Sequence, residues 1–142
     1  MLGVFSAMDV AASGLSAERT RMNTIAANMA NARTTRTAAG GPYRRIDPVF
    51  EAVLLDRGGL RGSAGVSEVR VARIVEDSRP GQMVYEPGHP DANAQGYVEY
   101  PNVNAVEEMV NMITASRAYE AGVTSIDTIK QMARSAIDIG RG

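Results

Sequence analysis

Residues 104–140 read NAVEEMVNMITASRAYEAGVTSIDTIKQMARSAIDIG, and within them Met112, Ala115, Tyr119, Gly122, Ile126, Ile129, Ala133 and Ala136 recur at alternating steps of three and four. A helix drifts only about 20° per heptad from such a row, so a slight left-handed supercoil keeps the whole stripe against a neighbour. At about 1.5 Å per residue this helix runs on the order of 55 Å, longer than a globule of this size requires. The stripe asks for a partner, and the chain is not expected to work as a compact monomer. One edge of the seam (Met112, Tyr119, Ile126, Ala133) is mostly bulky and the other (Ala115, Gly122, Ile129, Ala136) mostly small. Small residues let backbones approach closely, whereas a two-stranded zipper prefers Leu or β-branched residues on both edges. Near the helix start Val106, Met109, Val110, Met112 and Ile113 cover an arc of roughly 160°, wider than one core stripe, so more than one neighbour is expected there. Asn104 with Glu107 forms an N-cap pair, Glu108 adds favourable first-turn charge, and Lys130 and Arg134 lie toward the opposite dipole end.

The other terminus repeats the theme. Met8, Leu15, Met22 and Met29 recur every seven residues, flanked by Ala11, Ala12, Ile25 and Ala26, and Ser6 followed by Asp9 reads as a helix start. This helix is intrinsically weak, because Gly14, Thr20, Asn23, Thr24, Asn28 and Asn31 all have lower helix propensity than alanine. It needs support from elsewhere to persist.

Between the helices the pattern changes. Residues 34–48, TTRTAAGGPYRRIDP, are polar and punctuated by Gly and Pro, which predicts an extended arm. Residues 49–55 suit a strand. A Gly-rich turn around Gly58, Gly59, Gly62 and Gly65 precedes a second strand, in which Val69 and Val71 alternate with arginines. The Pro80-Gly81 turn leads to a third strand over residues 82–85, and residues 97–100 supply a fourth. A small antiparallel sheet is therefore expected between the terminal helices.

Composition narrows the chemistry. The chain has 142 residues, no cysteine and a formal net charge of −1, so it offers no disulfide framework, no thiolate and no bulk attraction to nucleic acid or anionic lipid. No apolar run approaches the roughly 20 residues that span a bilayer, and the first residues lack the basic region of a secretory signal. His89, the only histidine, sits in a Gly-His-Pro turn with no acid, nucleophile or second ligand spaced to join it. Asp91 and Asn93 resemble the opening of a calcium loop whose glycine and terminal glutamate are missing, and the glycine run lacks the GK[ST] ending of a phosphate cradle. Neither a catalytic nor a metal site is expected, nor any cofactor. Arg33, Arg36, Arg44 and Arg45, with Tyr43 among them, read as a solvated arm or a protein interface before a nucleic-acid contact.

Residues 22–51, MNTIAANMANARTTRTAAGGPYRRIDPVFE, resemble the flagellar basal-body rod family, and the GGPYRR arm is similar to that of its proximal-rod members. Residues 89–140 resemble the other terminal signature of that family in kind, order and position. The chain departs from the usual pattern at Ala27 and Gly122, where the family commonly carries asparagine. The resemblance implies a non-enzymatic subunit of the hollow rod that transmits motor torque. Its two terminal helices would pack together, and copies would stack helically around an export channel. It further implies other copies and other rod proteins as partners, with the inner-membrane ring and export apparatus at the rod base, and no nucleic acid, membrane span or small-molecule substrate. The location implied is the periplasmic rod, reached through the flagellar export apparatus without a cleaved signal. A soluble coiled-coil adaptor is the alternative.

The expected fold is α+β: long terminal helices paired like a coiled coil, with an arm and a small β-rich segment between them. Residues 1–33 and 102–142 would form an inner axial domain and residues 34–101 the arm and β-rich domain. The expected assembly interface comprises Met8, Leu15, Met22, Ile25, Asn28, Met29 and Asn31, the arm residues Tyr43, Arg44 and Arg45, and Val106, Met109, Met112, Ile113, Tyr119, Gly122, Ile126, Ile129 and Ala133.

Overall fold

A computed structural model describes residues 2–54 and 66–141. Two helices, α1 (Leu2–Ala30) and α2 (Ala105–Arg141), bracket four strands: β1 (Ile46–Leu54), β2 (Ser67–Glu76), β3 (Gln82–Tyr85) and β4 (Tyr97–Tyr100). The fold is α+β, as the sequence predicts. The helices run antiparallel, since Asn28 meets Glu108, Gly122 lies against Leu15, and Val4, Phe5 and Met8 share a groove with Ala133 and Ile137.

α1 begins at Leu2, ahead of the start read at Ser6 and Asp9. Ser6 instead donates its hydroxyl back to the Gly3 carbonyl, as serines inside helices commonly do. Helix α2 begins where its cap predicts. Asn104 Oδ1 accepts the N–H groups of Val106 and Glu107 at 3.0 and 3.3 Å, and its carbonyl accepts from Glu108 N–H at 3.0 Å.

The strands form two separate antiparallel ribbons, β1–β2 and β3–β4, where one small sheet was expected. Apolar alternation marks strands and does not name their partners, and the turn at Asp77 to Gly81 redirects the chain before β3 can join β2. In the first ribbon the register slips by one residue between Val49 and Phe50, leaving Ala72 as a bulge next to the turn of strand that holds Pro48. This ribbon rests on α1, and Val69 N–H donates to Ser13 Oγ at 3.1 Å, capping an outward-facing donor of β2. The predicted turn around Gly58 to Gly65, and Leu55 before it, lie outside the described residues.

The second ribbon is pinned to its own turn. A Cβ on Gly81 would stand 2.1 Å from the Tyr100 carbonyl oxygen, so only glycine admits this approach. Gly81 N–H donates to Glu99 Oε1. Val98 is buried at the centre of β4, and the Tyr85 and Tyr97 rings meet edge to face at 5.2 Å.

The apolar interior is thin. Among the described residues the buried aliphatic side chains are Ala17, Ile25, Val98 and Ala115, two of them in α1 and one in α2, joined by Pro101 between β4 and α2. The chain exposes 9847 Å², whereas a compact monomer of this mass exposes about 7,100 Å².

Candidate assembly interface

Two of the most deeply buried side chains among the described residues are polar. Asn28, near the end of α1, is wholly buried and makes every hydrogen bond its amide permits. Its Oδ1 accepts Tyr43 O–H and Ile46 N–H, each at 3.0 Å, while Nδ2 donates to the Ile46 carbonyl at 2.9 Å and to Glu108 Oε2 at 3.1 Å. Asn28 thus serves Ile46 as a neighbouring strand would, and β1 is launched from α1. Glu108, on the first turn of α2, is equally buried, and its Oε1 accepts Arg45 Nε at 2.8 Å. Two helix ends and the arm converge on one ion pair.

Around that pair the arm is fastened at each step. Arg45 N–H donates to Asn102 Oδ1, and Asn102 Nδ2 donates to the carbonyls of Asp77 and Arg79. The Arg45 guanidinium also holds the Asp47 carboxylate. Burial opposes its charge, but the hydrogen bonds to Asp47 and Glu108 outweigh that and keep it charged well above the usual arginine range. Burial, with the Glu108 and Glu76 carboxylates, pushes the Tyr43 phenol up. Arg44 bridges to the second ribbon through the Arg79 carbonyl and Glu99, and Asp91 accepts Thr35 Oγ1 at 2.8 Å and pairs with Arg36. The arm is therefore clamped to its own chain along its length. Asn31, counted with Asn28 in the expected interface, turns the chain out of α1 by bonding the Ala27 carbonyl and Thr34 Oγ1.

Below this node the heptad stripe finds its first partner inside the chain. Ala115 is buried, and Met112, Tyr119, Gly122, Ile126, Ile129 and Ala133 are half-covered, while Ala136 is exposed. On α1, Met8, Leu15, Met22 and Met29 are half-covered and Ile25 is buried. At Gly122 the two helices are in close contact: a Cβ there would stand 2.7 Å from Leu15 Cδ2. The remaining arc of α2 has no cover. Val106, Met109, Val110 and Ile113 are 70, 52, 58 and 55% exposed, and Phe5, Met132 and Ile137 are open at the far end of the stem. The first four belong to the set of five read as reaching more than one neighbour; the fifth, Met112, is half-covered. No described helix is long and apolar enough to cross a membrane.

The burial of Glu108 escaped the sequence reading. Beside Asn104 it looks like an ordinary first-turn acid, and its partners lie 80 and 63 residues away.

A paired-helix stem with an uncovered apolar arc, carrying a head of clamped ribbons, is the architecture of an elongated structural subunit. Two family descriptions match its two ends: "Flagella basal body rod protein" over residues 8–36 and "Flagellar basal body rod FlgEFG protein C-terminal" over residues 94–139. Among curated relatives, the flagellar basal-body rod protein FlgC of Borreliella burgdorferi is 45% identical, covering 99% of this chain and 100% of that protein. FlgC of Escherichia coli O6:H1 is 38% identical over 99% and 100%, and FlgC of Bacillus subtilis 38% over 96% and 98%. The chain belongs to the FlgC family of flagellar basal-body rod proteins.

Proposed function

We propose that this chain is a non-catalytic structural subunit of the proximal flagellar rod, packing with copies of itself and with other rod proteins into a hollow shaft that carries torque and encloses the export path. The inner-membrane ring and export apparatus would be its neighbours at the rod base. The working location is the periplasm, and delivery is through the growing structure without a cleaved signal. In this reading residues 1–33 and 102–142 form the axial wall and residues 34–101 the arm and outer head. The interface set divides by role. Val106, Met109 and Ile113 meet adjacent subunits, the seam from Met112 to Ala133 with Met8, Leu15, Met22, Ile25 and Met29 sets the helix pair that neighbours pack on, and Asn28, Asn31, Tyr43, Arg44 and Arg45 fix the angle of the head.

One observation supports this most strongly: the accessible surface of 9847 Å² exceeds that of a compact monomer by roughly two fifths. The excess includes large apolar side chains along α2. An uncovered apolar arc of this length is a demand for association. The soluble-adaptor alternative leaves the clamped head without a task. The test is to express the chain in cells that lack their own copy and to isolate basal bodies. Restored motility with the chain in the rod fraction is the expected result; a functional rod that excludes it would overturn the proposal.

A further inference from the structure

Glu108 stands where an apolar residue belongs. It lies seven residues ahead of Ala115, so it extends the seam row of Ala115, Gly122, Ile129 and Ala136 by one heptad toward the start of α2. Its side chain is 1% exposed and carries a carboxylate into the line along which α2 meets α1. The donors that satisfy it come from other parts of the chain. Asn28 of α1 donates to Oε2 at 3.1 Å, and Oε1 depends on Arg45 Nε at 2.8 Å. The first helix thus supplies one neutral donor, and the compensating charge comes from the arm.

Arg45 is delivered to that point by the head. Its N–H donates to Asn102 Oδ1 at 2.8 Å and its carbonyl accepts Asp77 N–H at 2.7 Å, while Asn102 Nδ2 donates to the Asp77 and Arg79 carbonyls at 3.0 and 2.9 Å. Asp77 and Arg79 precede β3 and Asn102 follows β4, so these bonds continue the second ribbon outward from its Gln82 and Tyr100 pair. The seam offers little to set against a carboxylate left without Arg45. Among the described residues the buried apolar side chains of the two helices are Ala17, Ile25 and Ala115, two of them alanines. Taking a carboxylate out of water without its charge partner outweighs what such small side chains contribute by burial.

We infer that the ion pair of Glu108 and Arg45 is a latch that makes pairing of the terminal helices conditional on a folded head. Until the arm presents Arg45, the first turns of α2 are not held against the end of α1. A polar residue at one seam position gives up stability to specify a partner, and the partner specified here is a helix that brings its own arm. An apolar residue at position 108 would pack on any apolar stripe that reached it. Glu108 is satisfied only where Asn28 and Arg45 stand together, which joins the order of the stem to that of the head. The inference concerns the chain by itself and does not depend on the rod-subunit reading.

Amide exchange on the purified full-length chain tests it, read at residues 110–119 of α2, a stretch with no hydrogen bond to Arg45. Arg45→Met should lower protection there at least tenfold, because it leaves the Glu108 carboxylate buried without its charge partner. Adding Glu108→Leu should bring protection back to within threefold of the unchanged chain, although both charges are then gone. A lesion confined to the head supplies the second measurement. Gly81→Val, which places a Cβ onto the Tyr100 carbonyl oxygen, should lower protection at residues 110–119 at least tenfold in the unchanged chain and less than threefold in the chain carrying Arg45→Met and Glu108→Leu. The inference is overturned if residues 110–119 are unprotected in the unchanged chain or stay protected in Arg45→Met. It is equally overturned if the double variant is as open as Arg45→Met alone, or if Gly81→Val leaves the stem untouched or acts alike in both backgrounds.

Discussion

Asn28 and Glu108 show how two residues set the geometry of the whole chain. Removing Glu108 leaves the Arg45 guanidinium, 12% exposed, without its buried partner, and breaking such a pair from one side typically costs about 3–5 kcal/mol. Tyr43→Phe removes one bond to Asn28 Oδ1 while Ile46 N–H keeps the other, a loss of about 1 kcal/mol. Glu108→Ala is therefore expected to lower the urea midpoint of the purified chain several times more than Tyr43→Phe, with tyrosine fluorescence as the probe; equal effects would show that the ion pair does not hold the node. A milder lever sits at the turn before β3. Hydrogen bonds from the Arg79 side chain and backbone N–H hold Asp77 down at about 2, against an ordinary 3.8. A depressed carboxylate stabilises the fold above its unfolded value and loses that contribution as pH falls through its folded value. Asp77→Asn should consequently flatten the acid loss of stability between 3.8 and about 2, read from unfolding curves across that range. The sequence revealed the local device and hid the distant one: Asn104 shows its cap because all its partners lie within four residues, whereas Asn28 shows nothing of Ile46, Tyr43 and Glu108, which only the fold brings to it.

The helices were readable as elements because their periods are long and regular, and the strands because Val69, Val71 and residues 82–85 alternate between punctuating turns. Pairing was readable only in part. The heptad stripe on α2 called for a helix partner, but nothing in its spacing distinguished α1 of the same chain from a helix of another. Gly122 illustrates the balance within the seam. Alanine there would gain about 1 kcal/mol of helix propensity, yet its Cβ would crowd Leu15 Cδ2, the movable tip of a half-covered side chain. Gly122→Ala should thus be nearly neutral, while Gly122→Leu, which adds three further carbons at the same crowded point, should separate the helices; circular dichroism of the purified variants reads the difference. The seam is also graded along its length. Thr24, Ile25, Asn28, Glu108 and Ala115 are all buried near the node, whereas Phe5, Met132, Ile137 and Ile139 lie open at the other end. Amide exchange on the dilute monomer should follow that gradient, with protection greatest around residues 24–30 and 105–115 and least around 3–10 and 130–140. Uniform protection from one end of the stem to the other would mean that a lone helix pair is stable without neighbours.

At the scale of the molecule, two faces of one helix make opposite demands. Ile126 lies in the seam against α1 and is half-covered, whereas Ile113 lies on the uncovered arc and is 55% exposed. A charge placed at either position is incompatible with apolar packing, but the surface it would disturb belongs to this chain in one case and, on the proposed assembly, to a neighbour in the other. Ile126→Asp strikes the helix pair itself, so the variant should show reduced helix content as a monomer and be absent from rods. Ile113→Asp replaces an apolar side chain already in water, so the monomer should keep its helix content and its node, as judged by circular dichroism and exchange protection around residues 105–115. It should nevertheless fall at least tenfold in isolated basal bodies. These two variants separate folding from association, because a defect confined to assembly can arise only where the partner is another chain. Were Ile113→Asp to enter rods normally, the exposed arc from Val106 to Ile113 would have to remain open in the finished structure, and the excess surface of the isolated chain would lose its explanation as an interface awaiting neighbours.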